Sequence, residues 1–106
     1  MEATDFEALA SSALTQIEQA LEKCDAGLDF ERKEGEVLEL EFVDGSKIIV
    51  NRHGAAREIW VAARSGGYHF RWDGSAWRDT RSGAELFAAL AKLIAEQGGS
   101  AVELRG

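Results

Sequence analysis

The sequence holds one cysteine, one methionine, two histidines and no proline in 106 residues. A single thiol, Cys24, cannot form an internal disulfide; it falls on an apolar helical stripe, which makes it a small buried side chain suited to a reducing compartment. No apolar run approaches the roughly 20 residues that a membrane helix needs. The first eight residues, MEATDFEA, have neither the positive start nor the apolar stretch of a signal peptide, so a cytoplasmic location is expected. Also missing are His-Glu-x-x-His, Cys-x-x-Cys, a phosphate-binding glycine loop and a nucleophile elbow. No catalytic residue is therefore assigned, and the protein is not expected to be an enzyme.

What is present is ordinary for a globular chain: 45% hydrophobic and 29% charged residues. The length suits one domain with one core, spanning residues 1–106. The net charge of -7 is unevenly spread, because residues 1–44 carry 13 acidic and 3 basic side chains while residues 45–106 carry 6 and 9. Such a field repels nucleic acid and anionic lipid and attracts cations and basic protein surfaces. Neither nucleic acid nor membrane is expected as a partner.

The stretch Gly45 to Phe70 reads as the middle of a sheet. Runs rich in β-branched and aromatic residues, Lys47 to Asn51 and Glu58 to Ala63, flank a Gly54-Ala55-Ala56 turn, and Gly66-Gly67 precedes a third run. Strand parity sends Ile48, Val50, Ile59, Val61, Tyr68 and Phe70 to the core and Ile49, Asn51, Trp60 and His69 to the other face. A rigid aromatic at Trp60, among polar neighbours, points to a partner surface. His53 shares its parity; His53 and His69 remain open as metal ligands or as plain surface residues. Trp72 and Trp77 read as core or rim.

Around this centre the chain predicts a helix from Asp5 to Cys24, with a stripe of Phe6, Leu9, Ala13, Ile17, Leu21 and Cys24 and a cap at Thr4 or Asp5. On another face Glu18, Glu22 and Asp25 recur at i, i+4 and i+7, and Asp29 and Glu31 continue the acidic run. Carboxylates near a helix C-terminus oppose the macrodipole, and a cost without a local structural reason hints at function. Val37 to Phe42 alternates as a half-buried strand joined to the next by Asp44-Gly45. Asp73-Gly74 turns the chain before a short strand at Trp77. Ser82 with Glu85 has the form of a capping box for a second helix carrying Leu86, Phe87, Leu90, Leu93 and Ile94, ended by Gly98-Gly99. Val102 and Leu104 are expected to pack along the helices. The order predicts an α+β fold: a two-layer α-β sandwich with an antiparallel meander and both helices on one sheet face.

These motifs together resemble the frataxin family in its bacterial form: GSKIIVNR at 45–52, IWVAARSGGYHF at 59–70, Trp77 with DTRSG at 79–83, and the acidic first helix. The resemblance covers the whole chain. It implies an iron-binding regulator or iron donor of iron-sulfur cluster assembly that docks on cysteine desulfurase through an acidic ridge and works with the scaffold protein. The alternatives it leaves open are a ferroxidase and a protein-binding adaptor with incidental iron binding. Carried over by position, the metal-binding ridge comprises Glu18, Glu22, Asp25, Asp29 and Glu31, with Asp5 and Glu7 earlier on the helix. The partner surface comprises Asn51, Trp60, Gly66, Gly67 and His69. Ferrous and ferric iron would be bound weakly at several sites, because exposed carboxylates suit hard cations but cannot enclose one. A monomer is expected, with oligomerisation in iron left open. Gln19, Lys23 and Gly27 stand where bacterial relatives often place acids, Asn51-Arg52-His53 departs from the family's Asn-Arg-Gln, and Glu58 replaces a frequent glutamine.

Overall fold

The computed structural model describes residues 3–23 and 28–98. Cys24, Asp25, Gly99 and the tail with Val102 and Leu104 lie outside them, so what the sequence suggests for those positions is left there. The elements run α1 (Ala3–Lys23), β1 (Leu28–Lys33), β2 (Val37–Phe42), β3 (Lys47–His53), β4 (Glu58–Ala63), β5 (Gly66–Trp72), β6 (Trp77–Asp79) and α2 (Leu86–Glu96). All six strands form one sheet in chain order, each pair antiparallel. The α+β sandwich expected from the pattern is therefore the observed architecture. Asp44-Gly45 makes the β2–β3 turn, where Gly45 has φ 85, a left-handed conformation that costs glycine little.

Burial follows strand parity. Leu38, Leu40, Phe42, Ile48, Val50, Ile59, Val61 and Phe70 join Trp77 and the apolar faces of both helices in a single core. On α1 that face is wider than the predicted stripe, since Ala10 and Leu14 are fully buried while Leu9 is only packed against the rim. Tyr68 is half-buried; its hydroxyl lies 2.8 Å from that of Ser65.

Two local expectations are corrected and one strand is added. First, α1 already begins at Ala3, so Thr4 and Asp5 lie inside the first turn and do not cap it; Asp5 still suits the positive end of the helix. Second, the N-cap of α2 is Glu85, whose carboxylate accepts from the backbone N–H groups of Phe87 (2.9 Å) and Ala88 (3.1 Å). Ser82 instead accepts from Ala84 N–H within the preceding turn. A three-residue reach back to Ser82 fails because residues 82–85 are not yet helical. The added strand is β1, hidden in the acidic run: Leu28 and Phe30 face the helices, and the third inward position is an arginine, which masks the alternation.

The C-terminal end of α2 is pinned by a buried polar side chain. Gln97 Oε1 accepts from Arg64 N–H at 3.1 Å, and Nε2 donates to Ser46 Oγ at 3.1 Å and to the Lys47 carbonyl at 3.0 Å. One amide thus ties the helix to the β2–β3 and β4–β5 turns. Gln97→Ala should strand these partners and lower the unfolding free energy by about 1–3 kcal/mol, read as a shift in the urea midpoint without a change in slope.

Candidate functional site

The helices cover one side of the sheet, and among the described residues no element covers the other. On the open side β-pairing brings residues far apart in sequence into cross-strand rows: Lys33, Val37, Asn51, Trp60 and His69 stand in register in one of them. Of the predicted partner surface, Asn51, Trp60 and His69 are thus direct neighbours. Gly67 pairs with Ala62 in the next row, and Gly66 pairs with Ala63 at the hairpin, on the opposite parity.

Trp60 is on the face that parity assigns but is not a free aromatic. It is half-buried, with the His53 ring stacked at 3.7 Å and 10° and the His69 ring at 4.3 Å and 11°. The two imidazoles come from the strands on either side of β4, so they close the two faces of the indole. A shared metal between them is ruled out by the ring lying between. His53 Nδ1 also accepts from Ala56 N–H at 3.3 Å, which commits that nitrogen to the β3–β4 turn. The indole N–H donates to Glu58 Oε1 at 2.8 Å. Glu58 is itself buried, although it stands on the open face, and its other oxygen accepts from Arg71 at 2.9 Å. In the sequence Glu58 stands out only as a departure from the family's glutamine; its position two residues before Trp60 on one strand is the available signal.

The acidic residues wrap around the edge strand β1. Glu18 and Glu22 lie on the α1 flank, and Asp29 and Glu31 point to the open face of the sheet. Glu18 is half-buried, and Arg32 reaches inward from β1 to within 3.6 Å of it. The same guanidinium donates to Thr15 Oγ1 at 2.7 Å and Ser11 Oγ at 3.1 Å, and pairs with Glu36. Glu22, Asp29 and Glu31 are exposed. Two acids that sequence reasoning left out complete the patch: Glu41 stands opposite Asp29, and Glu39 opposite Glu31. Directly opposed like charges destabilise a sheet. Glu39 is relieved by Lys33 at 2.8 Å and Lys47 at 2.9 Å. Among the described residues no three His, Cys, Asp or Glu side chains are grouped so as to hold one metal ion.

A frataxin-like domain matches residues 1–100. The chain belongs to the frataxin family. It is 61% identical over 105 residues to the iron-sulfur cluster assembly protein CyaY of Dechloromonas aromatica, covering 99% of this chain and 100% of that one. It is 51% identical over 106 residues to the protein of the same name from Cupriavidus metallidurans, covering 96% and 95%. The frataxin from Psychromonas ingrahamii superposes over the full length of both chains with a TM-score of 0.92 at 29% identity. Trimeric frataxin from Saccharomyces cerevisiae shares the fold, with a TM-score of 0.59 at 24% identity over 92% of this chain and 78% of that one. Within this frataxin the inward Arg32 and the stacked His53 are side chains that the family resemblance had not marked as functional, whereas Trp60 and His69 of the same stack belong to the partner surface it implied.

The hydrogen bonds from Lys33 and then Lys47 carry the Glu39 carboxyl from its ordinary 4.5 down to about 2. Backbone N–H groups of Ser75 and Ala76 do the same for Asp73 in the β5–β6 turn, from 3.8 to about 2. A depressed folded-state pKa stabilises the native state above the ordinary value, and that contribution is lost as pH falls through the folded value. The stability difference between the wild type and Glu39→Gln should therefore be constant above about pH 4.5 and shrink towards zero near pH 2, as measured by urea unfolding across acid pH.

Proposed function

We propose that this frataxin acts in iron-sulfur cluster assembly as a non-catalytic, iron-binding regulator or iron donor in the cytoplasm. In this reading the acidic edge docks on a basic surface of cysteine desulfurase, and the open sheet face meets the scaffold protein. What supports the role is the full-length similarity to two proteins named for iron-sulfur cluster assembly. What carries the surface assignment is the exposed carboxylate patch of Glu22, Asp29, Glu31 and Glu41 around β1. Iron is cargo here. Carboxylate oxygens suit ferrous and ferric ions, but side chains on an open strand and a helix flank leave most of the coordination sphere to water, so binding is weak and spread over several sites. The sheet edge also lacks the facing helices that enclose carboxylates and histidines in a dedicated ferroxidase centre.

The patch is tested by Glu22→Lys, Asp29→Lys and Glu31→Lys combined, which spares Glu18 because Arg32 depends on it. Affinity for desulfurase should fall at least about tenfold at low salt, iron binding should weaken, and the circular dichroism spectrum should stay unchanged. Undiminished binding of both desulfurase and iron by the triple variant would overturn the assignment. For the open face, Trp60→Ala should lower scaffold affinity by about 2 kcal/mol. Its stability cost should be about 1–3 kcal/mol, set by the donor that Glu58 loses. That is less than the roughly 3–5 kcal/mol of an emptied core aromatic. A larger loss of stability with scaffold affinity intact would make Trp60 structural.

A further inference from the structure

Among the described residues Glu58 is the most deeply buried charged side chain on the side of the sheet away from the helices, at 7% exposure. Nothing in the core requires it there, since parity turns it away from the helices. Each of its oxygens has a partner on the open face: Oε1 takes the Trp60 indole N–H, and Oε2 takes Arg71. His69 Nδ1 lies 3.8 Å from Oε1. With the N–H edge turned to Glu58 and the two ring faces closed by His53 and His69, what Trp60 offers a partner is the remaining rim of the ring. An aromatic face attracts cations, whereas an aromatic rim is electropositive and favours acceptor oxygens. The side chains flanking the stack on the β5–β6 side extend that sign. Arg71 is 64% exposed and Arg78, paired with Asp73 at 3.3 Å, is 48% exposed.

We propose that Glu58 is the positioning residue of the open-face surface, holding Trp60 rim-outward between two imidazoles so that the surface selects an acidic, acceptor-rich protein segment. This rests on the reading of Trp60 as a docking residue, and it adds to that reading the chemistry of what docks. The open face is bipolar: on β1 to β3 the carboxylates of Asp29, Glu31, Glu39 and Glu41 outnumber Lys33 and Lys47, arginines lie on β5 and β6, and the indole is between them. An acidic segment is therefore repelled from one half and drawn to the other, which fixes its position as well as its sign.

The experiment compares Glu58→Met, which keeps the volume but has no acceptor, with Glu58→Gln, which keeps an acceptor oxygen for the indole. The readouts are affinity for purified scaffold protein and the Trp60 indole N–H resonance with its exchange rate. In the wild type the indole proton should be protected from exchange. Glu58→Met should remove that protection and weaken scaffold binding at least about tenfold, and Glu58→Gln should restore both to within about threefold. A fast-exchanging indole proton in the wild type, or full scaffold affinity in Glu58→Met, overturns the positioning role even if Trp60→Ala abolishes binding. Unchanged affinity in Trp60→Ala instead overturns the docking reading beneath it. Arg78→Glu tests the partner's sign: binding should fall about tenfold, and a gain in affinity would show that the docking segment is basic.

Discussion

Two helices covering one side of a six-stranded sheet impose a division that every strand obeys. Because side chains alternate along a strand, each β-residue is committed either to the shared core or to an uncovered surface, and a one-residue slip would exchange the two sets. The core side is apolar almost throughout, from Leu38 to Ile94. The open side gathers charged, amide, imidazole and indole groups whose spacing in the sequence gives little hint that they are neighbours. Register, not sequence distance, makes Asn51, Trp60 and His69 a surface.

Where the core runs out at the sheet edge, polar chemistry replaces packing. Beside β1 the inward position belongs to Arg32, whose guanidinium satisfies two helix hydroxyls and two carboxylates instead of filling a hydrophobic hole. At the far end of α2 Gln97 does the same for two turns. Among the described residues no buried side-chain nitrogen or oxygen is left without a hydrogen-bond partner. This is why polar groups can stand at the margins of so small a core without a desolvation penalty left uncompensated.

The fold was legible because its signals are periodic. Alternation in Val37 to Phe42, the glycine turns and the apolar faces of both helices each repeat over enough residues to outweigh local exceptions. The exceptions mark where reading stopped: an arginine at an inward position hid β1, and Glu85 took over its own helix cap because the chain at Ser82 was not yet helical. Site residues were legible as faces but not as contacts. Parity put Trp60 and both histidines together, yet whether the indole stands free or stacked depends on side-chain geometry across three strands. The acidic run was visible as composition, while its division between a helix flank and a strand, and the pairing of Glu18 with Arg32, required the register of β1. Family membership does not supply these pairings.

β1 is an edge strand, and an edge exposes unpaired backbone donors and acceptors along its length. Its outward row is Asp29, Glu31 and Lys33, charged at every position. A second chain adding itself to this edge would have to bring its own side chains alongside those charges and strip them of water. The carboxylates proposed to meet a cation or a basic surface therefore also guard this edge against strand addition, and a sequence change that removes their charge weakens that protection.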